Sequence, residues 1–375
     1  MRYKTEKLGK FLYIKGRIGW KGLKKSEYLE HSEYKIINGE SLTKNGIDWD
    51  KAGYISKERY DESPEIMLQN NDILISKDGT IGKLGFVENL SYKATVASGI
   101  FVLRNLNSNI INTRFIYNYL SSIYFSNFII SRTEGSVIPR LYQKDVVELD
   151  FPLPSLEIQE KIVEILDAIS LKIKINNLIN NNLEQQAFAI FNDMFEQRES
   201  NGKLADIILE NPKSKIKVGD AKEAIGKYPF FTSGQAILKY KFPLISGRNC
   251  YLNTGGNADV KFFIGEASYS TDTWCISGTG QTSDYLYLLL KCMGSELNDV
   301  YFEGSALKHL QKQSLKDRDI YIPSVDELKQ LNGLIIPMFD LISKNDMNSS
   351  LLIKMRDSLL PKLMSGELDV SNLDI

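Results

Sequence analysis

The first 25 residues carry the side chains best suited to contact a nucleic acid. Nine of these residues are basic and only Glu6 is acidic, and the aromatic residues Phe11, Tyr13 and Trp20 stand among the basic ones. Lysine and arginine neutralise backbone phosphates, whereas aromatic rings stack on bases. A solvated charged surface would have the same composition, so the segment by itself leaves both interpretations open.

Two short glycine-rich segments could also approach an anion. Residues 76–83 (SKDGTIGK) do not form a Walker loop, because only two residues separate Gly79 from Gly82 and Leu84 follows the lysine. A tight turn between two strands is therefore predicted here. Residues 253–257 (NTGGN) are its expected counterpart in the second half of the chain.

Catalytic motifs are missing from the sequence. His31 and His309 are the only histidines, and neither an HExxH nor a GxSxG motif occurs. No Asn-Pro-Pro-aromatic or Asp-Pro-Pro-aromatic tetrapeptide is present to hold a base for amino methylation. The three cysteines show no CxxC spacing and are expected to be buried reduced thiols. We predict no catalytic residue, no metal site and no enzymatic activity of the chain by itself.

The composition is that of an ordinary globular protein. The 375 residues are 43 % hydrophobic, and 46 basic residues balance 47 acidic ones, which argues against a general polyanion binder. No apolar run approaches the roughly 20 residues that span a bilayer. We therefore expect a cytoplasmic protein with no membrane partner.

An internal repeat must position these side chains. Residues 134–157 align without a gap on residues 303–326, and seven of the 24 pairs are identical. Both copies open with Glu-Gly-Ser and close with Pro-Ser. The offset of 169 between the copies is too long for a solenoid repeat, so each copy must hold a globular unit and a connecting element.

The connecting element is predicted to be a long helix. Residues 156–197 contain no glycine or proline, and Ser155 precedes them as a candidate N-cap. Isoleucine and leucine follow heptad spacing at Ile158, Ile162, Ile165, Ile169, Ile179, Leu183 and Ile190. Shifted by 169, the C-terminal segment repeats the pattern, with Asn345 in the place of Asn176. We expect these two asparagines to pair, and Pro337 to weaken or break the second helix.

The predicted fold class is α/β (α+β), with a pseudo-two-fold internal repeat. Two similar globules would be joined by two long helices that form an antiparallel coiled coil. The predicted domains are a first globule over 1–153, a first helix over 154–199, a second globule over 200–322, and a second helix with its tail over 323–375.

This arrangement resembles the specificity subunit of type I restriction-modification systems. The resemblance covers the whole chain, and family-like segments occur in the expected order at 16–23 (GRIGWKGL), 72–83 (DILISKDGTIGK), 153–159 (LPSLEIQ), 227–234 (KYPFFTSG) and 356–368 (RDSLLPKLMSGEL). It implies two target-recognition domains that each read half of a split DNA site. It also implies that the paired helices recruit two modification subunits, and that a restriction subunit joins for cleavage.

The resemblance and the repeat together give a set of candidate DNA-binding residues. They are Arg17, Trp20, Lys21, Lys24, Lys77, Thr80 and Arg140 in the first domain, and Asn253, Thr254, Asn257, Lys308 and His309 in the second. No cofactor is expected on this chain, because S-adenosylmethionine, ATP and Mg would be used by the partner subunits. The alternative is a non-catalytic coiled-coil adaptor whose globules bind protein or carbohydrate.

Overall fold

A computed structural model describes residues 3–43, 46–133, 140–304 and 307–373. Two compact units make up the fold: unit 1 combines Met1–Ile173 with Leu351–Ile375, and unit 2 is Lys174–Ser350. Each unit therefore takes part of both long helices. Residues 134–136 of the first Glu-Gly-Ser motif, and Ser305 of the second, lie outside the described residues.

Unit 1 begins with eleven short strands and five helices in its described part. The strands are β1 Thr5–Lys7, β2 Leu12–Gly16, β3 Tyr34–Ile37, β4 Leu42–Thr43, β5 Gly46–Ile47, β6 Gly53–Ile55, β7 Ile73–Ser76, β8 Leu84–Phe86, β9 Lys93–Val96, β10 Ile100–Asn105 and β11 Asp150–Pro152. The helices are α1 Lys57–Asp61, α2 Thr113–Leu120, α3 Ile123–Thr133, α4 Gln143–Val147 and α5 Leu156–Phe195, the last of which continues into unit 2.

A four-stranded antiparallel sheet in the order β2-β10-β7-β8 lies at the centre of unit 1. Side chains alternate between its faces: Ile73 and Ile75 join the core that contains α2 and the start of α5, whereas Leu74 joins a second core. The second core also contains β3 and β9, which pair in parallel in a three-stranded sheet, β6-β3-β9. Strands β1 and β11 pair separately beside the first core.

Unit 2 repeats the same kinds of element after α5. Its strands are β12 Gly202–Lys203, β13 Ile208–Glu210, β14 Tyr228–Phe231, β15 Leu238–Tyr240, β16 Arg248–Asn253, β17 Val260–Ile264, β18 Ser268–Tyr269, β19 Thr273–Gly278, β20 Phe302–Glu303, β21 His309–Leu310 and β22 Asp319–Ile320. Its helices are α6 Val218–Lys222, α7 Ser283–Cys292, α8 Ser295–Val300, α9 Lys312–Lys316 and α10 Val325–Ser365, which ends in unit 1.

The sheet topology of unit 2 matches that of unit 1 in its two main sheets. Its four-stranded sheet has the order β13-β19-β16-β17, and its three-stranded sheet, β15-β14-β18, again contains one parallel pair. Helix α9, strand β22 and the start of α10 follow α4, β11 and the start of α5 at the offset of the sequence repeat. The two globules, the two long helices and the internal repeat are thus confirmed.

The two long helices are continuous, with 40 residues in α5 and 41 in α10. The expectation that Pro337 would break α10 is wrong. Leu331, Ile335 and Phe339 are almost fully buried on either side of it, and this packing outweighs the roughly 3 kcal/mol that an internal proline costs a helix.

The structure confirms some of the predicted heptad positions of α5 and contradicts others. Ile162 and Ile169 are buried, but the intervening buried residue is Leu166 instead of Ile165, and later in the helix Asn180 is buried while Ile179 is 39 % exposed. At residues 179 and 180 the heptad pattern predicted burial of the isoleucine, not of the asparagine. The structure buries the asparagines because the opposite helix supplies their hydrogen-bond partners.

Asn176 and Asn345 do not pair with each other, contrary to prediction. In unit 2 the Asn176 amide donates to Ser349 Oγ at 3.1 Å, and the Asn345 amide donates to Asn180 Oδ1 at 2.8 Å. Antiparallel helices place residue 176 opposite residue 349, not opposite its own repeat equivalent. The two contacts are nevertheless equivalent, because the repeat relates Asn176 to Asn345 and Asn180 to Ser349.

The cysteine prediction holds for two of the three thiols. Cys250 and Cys275 are buried, and burial raises the pKa of the Cys275 thiol to about 12. Cys292 is exposed at the end of α7, so the expectation of burial is wrong there.

Candidate nucleic-acid interface

One end of the four-stranded sheet of unit 1 gathers most of the predicted DNA-binding residues. Gly16 at the end of β2 pairs with Phe101, and Ser76 at the end of β7 pairs with Ile100, at the start of β10. Antiparallel pairing therefore brings the loops 17–33, 77–83 and 97–99 out at the same end of the sheet. We call this the loop end of unit 1.

The 77–83 loop is a turn between antiparallel strands, as predicted, and not a phosphate loop. Gly79 and Gly82 have positive φ angles of 68° and 84°, which favour glycine. Ser76 Oγ donates to the Thr80 carbonyl at 2.6 Å and accepts from the Lys83 amide at 2.8 Å, which closes the turn. Thr80 is left exposed at its tip.

Arg140 is brought onto this turn from a distant part of the chain. Its Nε and Nη2 contact the two carboxylate oxygens of Asp78 at 2.7 and 3.2 Å, and the Leu141 amide donates to the Lys77 carbonyl at 3.0 Å. Lys77 Nζ lies 4.6 Å from the centre of the Phe101 ring, and burial lowers the pKa of this ammonium group. The structure thus brings Lys77, Thr80 and Arg140 together.

Arg17 does not face a DNA groove and its assignment is corrected here. The residue is 2 % exposed, with Nε donating to the Val96 carbonyl at 3.0 Å and its other nitrogens to the hydroxyls of Ser63 and Thr95. Burial is also the main reason why its pKa is lowered. The guanidinium group holds the loop after β2 against neighbouring segments and is not available to a ligand.

Lys21 and Lys24 belong to the same loop. The Lys21 ammonium donates to the Glu62 carbonyl at 2.6 Å, and Arg59 fixes the backbone by donating to the carbonyls of Lys21 and Gly22. Lys24 is exposed. Trp20 lies in the 3-10 helix Gly19–Lys21, and its side chain is outside the described part of the structure.

The equivalent loop end of unit 2 is formed by the end of β16, the start of β19 and the turn to β17. Asn253 is buried there, so its assignment as a groove-facing residue is wrong. Its amide donates to the carbonyls of Gly255 and Asn257, and its Oδ1 accepts from the Asp259 amide at 2.7 Å. Asn253 therefore shapes the turn from inside.

The other predicted residues of unit 2 meet around this turn. Gly255 forms a β-bridge with His309, and the Gly256 amide donates to the Lys308 carbonyl at 2.9 Å. The Leu310 amide donates to the Thr254 carbonyl at 3.1 Å, as its repeat equivalent Leu141 donates to the Lys77 carbonyl in unit 1.

Exposure differs among these residues. Asn257 and His309 are exposed, whereas Thr254 and Lys308 are half-buried. Thr254 Oγ1 donates to the Asp272 carbonyl at 2.9 Å, and Lys308 Nζ donates to the Asn298 carbonyl at 3.3 Å.

The repeat-based prediction missed a basic segment at the loop end of unit 2. Lys213, Lys215 and Lys217 follow β13, which corresponds to β2, and all three are exposed. Three lysines at alternate positions were visible in the sequence. The offset of 169 does not point to them, because it does not hold near the start of the globules. There Leu8 corresponds to Leu204, since the Leu8 amide donates to the Leu149 carbonyl and the Leu204 amide donates to the Arg318 carbonyl.

Within the described residues, no group of three or more histidine, cysteine, aspartate or glutamate side chains could hold a metal ion. No helix in that part of the chain is long and apolar enough to cross a membrane.

Comparison with known proteins identifies the class to which this arrangement belongs. The type I restriction enzyme MjaIX specificity subunit of Methanocaldococcus jannaschii is 23 % identical over 305 residues, which cover 70 % of each chain. The HindI specificity subunit of Haemophilus influenzae is 23 % identical and covers 80 % of this chain and 87 % of its own.

A solved structure supports the fold. The type I restriction-modification S subunit from M. genitalium superposes with a TM-score of 0.59 and 15 % identity, covering 98 % of this chain and 97 % of its own. The family model for the type I restriction modification DNA specificity domain matches residues 3–185 and 200–350. The chain belongs to the family of type I restriction-modification DNA specificity domains.

Proposed function

We propose that the chain is the DNA-recognition subunit of a type I restriction-modification complex and that it reads a bipartite site. The observation that carries this proposal is the recurrence of the same loop end, on the same sheet topology, in both units. Two similar readers in one chain suit two half-sites separated by base pairs that neither unit reads. The predicted domains 1–153 and 200–322 would be these readers. A protein-binding or carbohydrate-binding adaptor is not favoured by the family.

Some of the side chains at the loop ends are suited to set DNA affinity, and others to select the base sequence. Lys24 and the half-buried Lys21 and Lys77 are suited to phosphate oxygens, which set affinity without selecting a sequence. Hydrogen-bonding groups that can select base edges are carried by Thr80, Arg140, Asn257 and His309. The ion pair with Asp78 positions the Arg140 guanidinium before DNA binds.

Catalysis would come from partner subunits. The sequence carries none of the catalytic motifs considered above, so we assign no reaction step to this chain. The modification subunits would use S-adenosylmethionine, and restriction subunits would use ATP and Mg. The complex would act in the cytoplasm, where its DNA substrate is found.

The long helices provide the surface for two modification subunits. Within unit 2, Ile175 and Leu178 form an exposed apolar stripe along α5, and Met347 on α10 is 63 % exposed. Such a stripe suits an apolar helix face of a partner. Leu178 and Met347 are repeat equivalents, so both helices expose an apolar side chain at this position, in keeping with two partners of the same kind.

This docking surface can be tested by copurification. We expect Leu178→Glu together with Met347→Glu to abolish recovery of the modification subunit with the chain, because charges would be buried against apolar partner residues. Glu164→Gln, at an exposed position of α5, is the control and should leave recovery unchanged. Undiminished recovery of the double variant would assign docking to another surface.

Selection of DNA sequences by the protein tests the proposed function as a whole. Random double-stranded oligonucleotides are selected on the chain with and without the coexpressed modification subunit, and the bound pool is sequenced. We expect two conserved half-sites with a fixed gap from the complex, and methyl transfer from S-adenosylmethionine by the complex but not by the chain alone. A pool without enrichment, or methylation by the single chain, would overturn the proposal.

A further inference from the structure

The segment that follows β13 in unit 2 presents three lysines on one face. Residues 213, 215 and 217 are exposed lysines, whereas Ser214 and Ile216 between them are buried. Burial therefore alternates with exposure along the segment, and its three lysines share the solvent side. We call them the lysine stripe.

Backbone contacts place the stripe beside the loop end of unit 2. The Asn211 amide donates to the Cys275 carbonyl and the Thr271 amide to the Ile216 carbonyl, both at 3.0 Å, so the segment runs along β19 to its start. The carbonyl of Asp272, which follows Thr271, accepts from the amide and the hydroxyl of Thr254. The stripe therefore borders the turn that carries Asn257.

In the described part of the chain, no ion pair neutralises the positive charge of the stripe. None of its three lysines lies within 4.0 Å of a carboxylate oxygen there, whereas neighbouring Lys316 pairs with Glu210 at 2.9 Å. Lys312 adds charge near Lys213, and burial lowers the pKa of Lys312 although the Glu210 carboxylate acts in the opposite direction. The carboxylate of Asp220, close by in sequence, is engaged at the start of α6, where it accepts from the Lys217 amide.

We propose that the lysine stripe binds consecutive phosphates of one strand of double-stranded DNA while the adjacent turn meets the bases. The proposal rests on the proposed function and adds to it the residues that contact the DNA phosphate backbone at the second half-site. A row of exposed cations at alternate positions suits a polyanion with regularly spaced charges. Phosphate contacts carry no sequence information, so the stripe sets affinity and register, not the preferred sequence.

The position of the stripe agrees with that of the basic loop in unit 1. Both segments follow the edge strand of the four-stranded sheet, β2 in one unit and β13 in the other. Lys21 follows Leu8 by 13 residues, as Lys217 follows Leu204, so the basic loop of unit 1 and the stripe of unit 2 occupy corresponding places. Each half-site would be held by one such segment.

The test measures how DNA affinity of the complex with the modification subunit depends on salt. Lys213, Lys215 and Lys217 are changed to glutamine one after another, and the slope of log K against log salt is measured on one site-containing duplex. We expect each change to lower the slope by about 0.9. The sequence enriched from random oligonucleotides should stay the same. The control is the double variant Lys291→Gln and Lys329→Gln, two exposed lysines outside the loop end, which should keep the wild-type slope.

The outcomes separate this proposal from the function on which it rests. If the wild-type complex binds its site with a steep salt dependence and the triple variant keeps that slope, the stripe makes no phosphate contact and the proposal is wrong. A triple variant with altered half-site preference would overturn the backbone role as well. If the wild-type complex fails to bind double-stranded DNA, the proposed function falls and this inference with it. Circular dichroism of the triple variant establishes that it is folded.

Discussion

Arg17 and Asn253 show that a polar residue in a binding segment can serve the fold instead of the ligand. Both were assigned to DNA from their residue type and their neighbours in sequence. The structure buries both, and each side chain is used to hold backbone carbonyl groups of a loop. The exposed residues around them, such as Lys24 and Asn257, remain the candidates for DNA contact.

Replacing Arg17 should therefore cost stability. Arg17→Ala leaves the Val96 carbonyl and two hydroxyls without their donor, and we expect unit 1 to lose about 1–3 kcal/mol in free energy of unfolding. Urea denaturation followed by circular dichroism measures this loss. Lys24→Ala is the control and should change stability by less than about 0.5 kcal/mol. An Arg17→Ala variant of wild-type stability would contradict the buried role.

Lys24, in contrast to Arg17, should contribute to DNA binding and not to stability. Lys21→Ala and Lys24→Ala are expected to weaken binding to every duplex sequence and to lower the salt slope by about one unit per lost contact, because they act on phosphates. Filter binding at several salt concentrations measures both effects. Unchanged affinity and slope would remove these two lysines from the interface.

At the scale of elements, unit 2 ties its sheet to both a short and a long helix through one arginine. Arg248 on β16 contacts both carboxylate oxygens of Asp284 on α7 at 2.6 Å, and also Asp340 on α10 at 2.6 Å. Asp284 is 1 % exposed, and burial raises the pKa of its carboxyl group despite the arginine. In the folded state this carboxyl therefore holds its proton to a higher pH than in the unfolded chain.

Removing Arg248 should produce a loss of stability that depends on pH. An acid whose pKa is raised on folding destabilises the fold as pH rises through the window above its ordinary value. In Arg248→Met the buried carboxylate has no counter-ion, so we expect a loss of about 3–5 kcal/mol at pH 7 that becomes smaller at pH 5, where Asp284 can be protonated.

Urea denaturation at the two pH values measures this effect. The matched control adds Asp284→Asn to Arg248→Met and should largely abolish the difference between pH 5 and pH 7. An equal loss at both pH values for Arg248→Met alone would argue against an uncompensated Asp284 charge.

The polar contacts between the long helices in unit 2 have a similar positioning role. Asn176 with Ser349 and Asn345 with Asn180 are buried or half-buried hydrogen-bonded pairs. Sliding one helix by a turn would leave these groups unsatisfied, so the pairs favour one register. The segment of α5 around Asn180 is thus part of the helix contact, and an insertion there would disturb these hydrogen bonds.

At the scale of the whole molecule, the length of the helices should set the number of unread base pairs between the half-sites. The chain passes from one unit to the other between Ile173 and Lys174 in α5 and between Ser350 and Leu351 in α10. Seven residues inserted at both places preserve the heptad pattern and add about 10 Å of helix. That length corresponds to about three steps of DNA at roughly 3.4 Å each.

We expect such a variant to keep both half-site sequences and to lengthen the gap by about three base pairs. Mapping methylated sites genome-wide in cells that carry the variant measures the gap. Insertion into α5 alone is the control and should impair activity, because the two helices would no longer match in length. An unchanged gap, or new half-sites, would show that the helices do not set the spacing.

The architecture of this protein could be predicted from its repeat and its local residue patterns. Its repeat predicted the correct offset for α4, α5 and β11, because a duplicated segment keeps its local pattern of apolar and capping residues. The absence of glycine and proline between residues 156 and 195 likewise predicted one long helix. Family-like segments on this frame led to the right class.

Which polar side chains are exposed for binding depends on contacts between segments that are distant in the sequence. Arg140 meets Asp78, and His309 meets Gly255, although the partners of each pair are far apart in the sequence, and such contacts depend on strand pairing that local sequence does not encode. The burial of Asn180 in place of Ile179, and of Arg17 among exposed lysines, depends on partners that distant segments supply. The lysine stripe is the counterpart of the unit 1 loop because β13 occupies the place of β2 in its sheet, a correspondence that the repeat offset of 169 does not reveal.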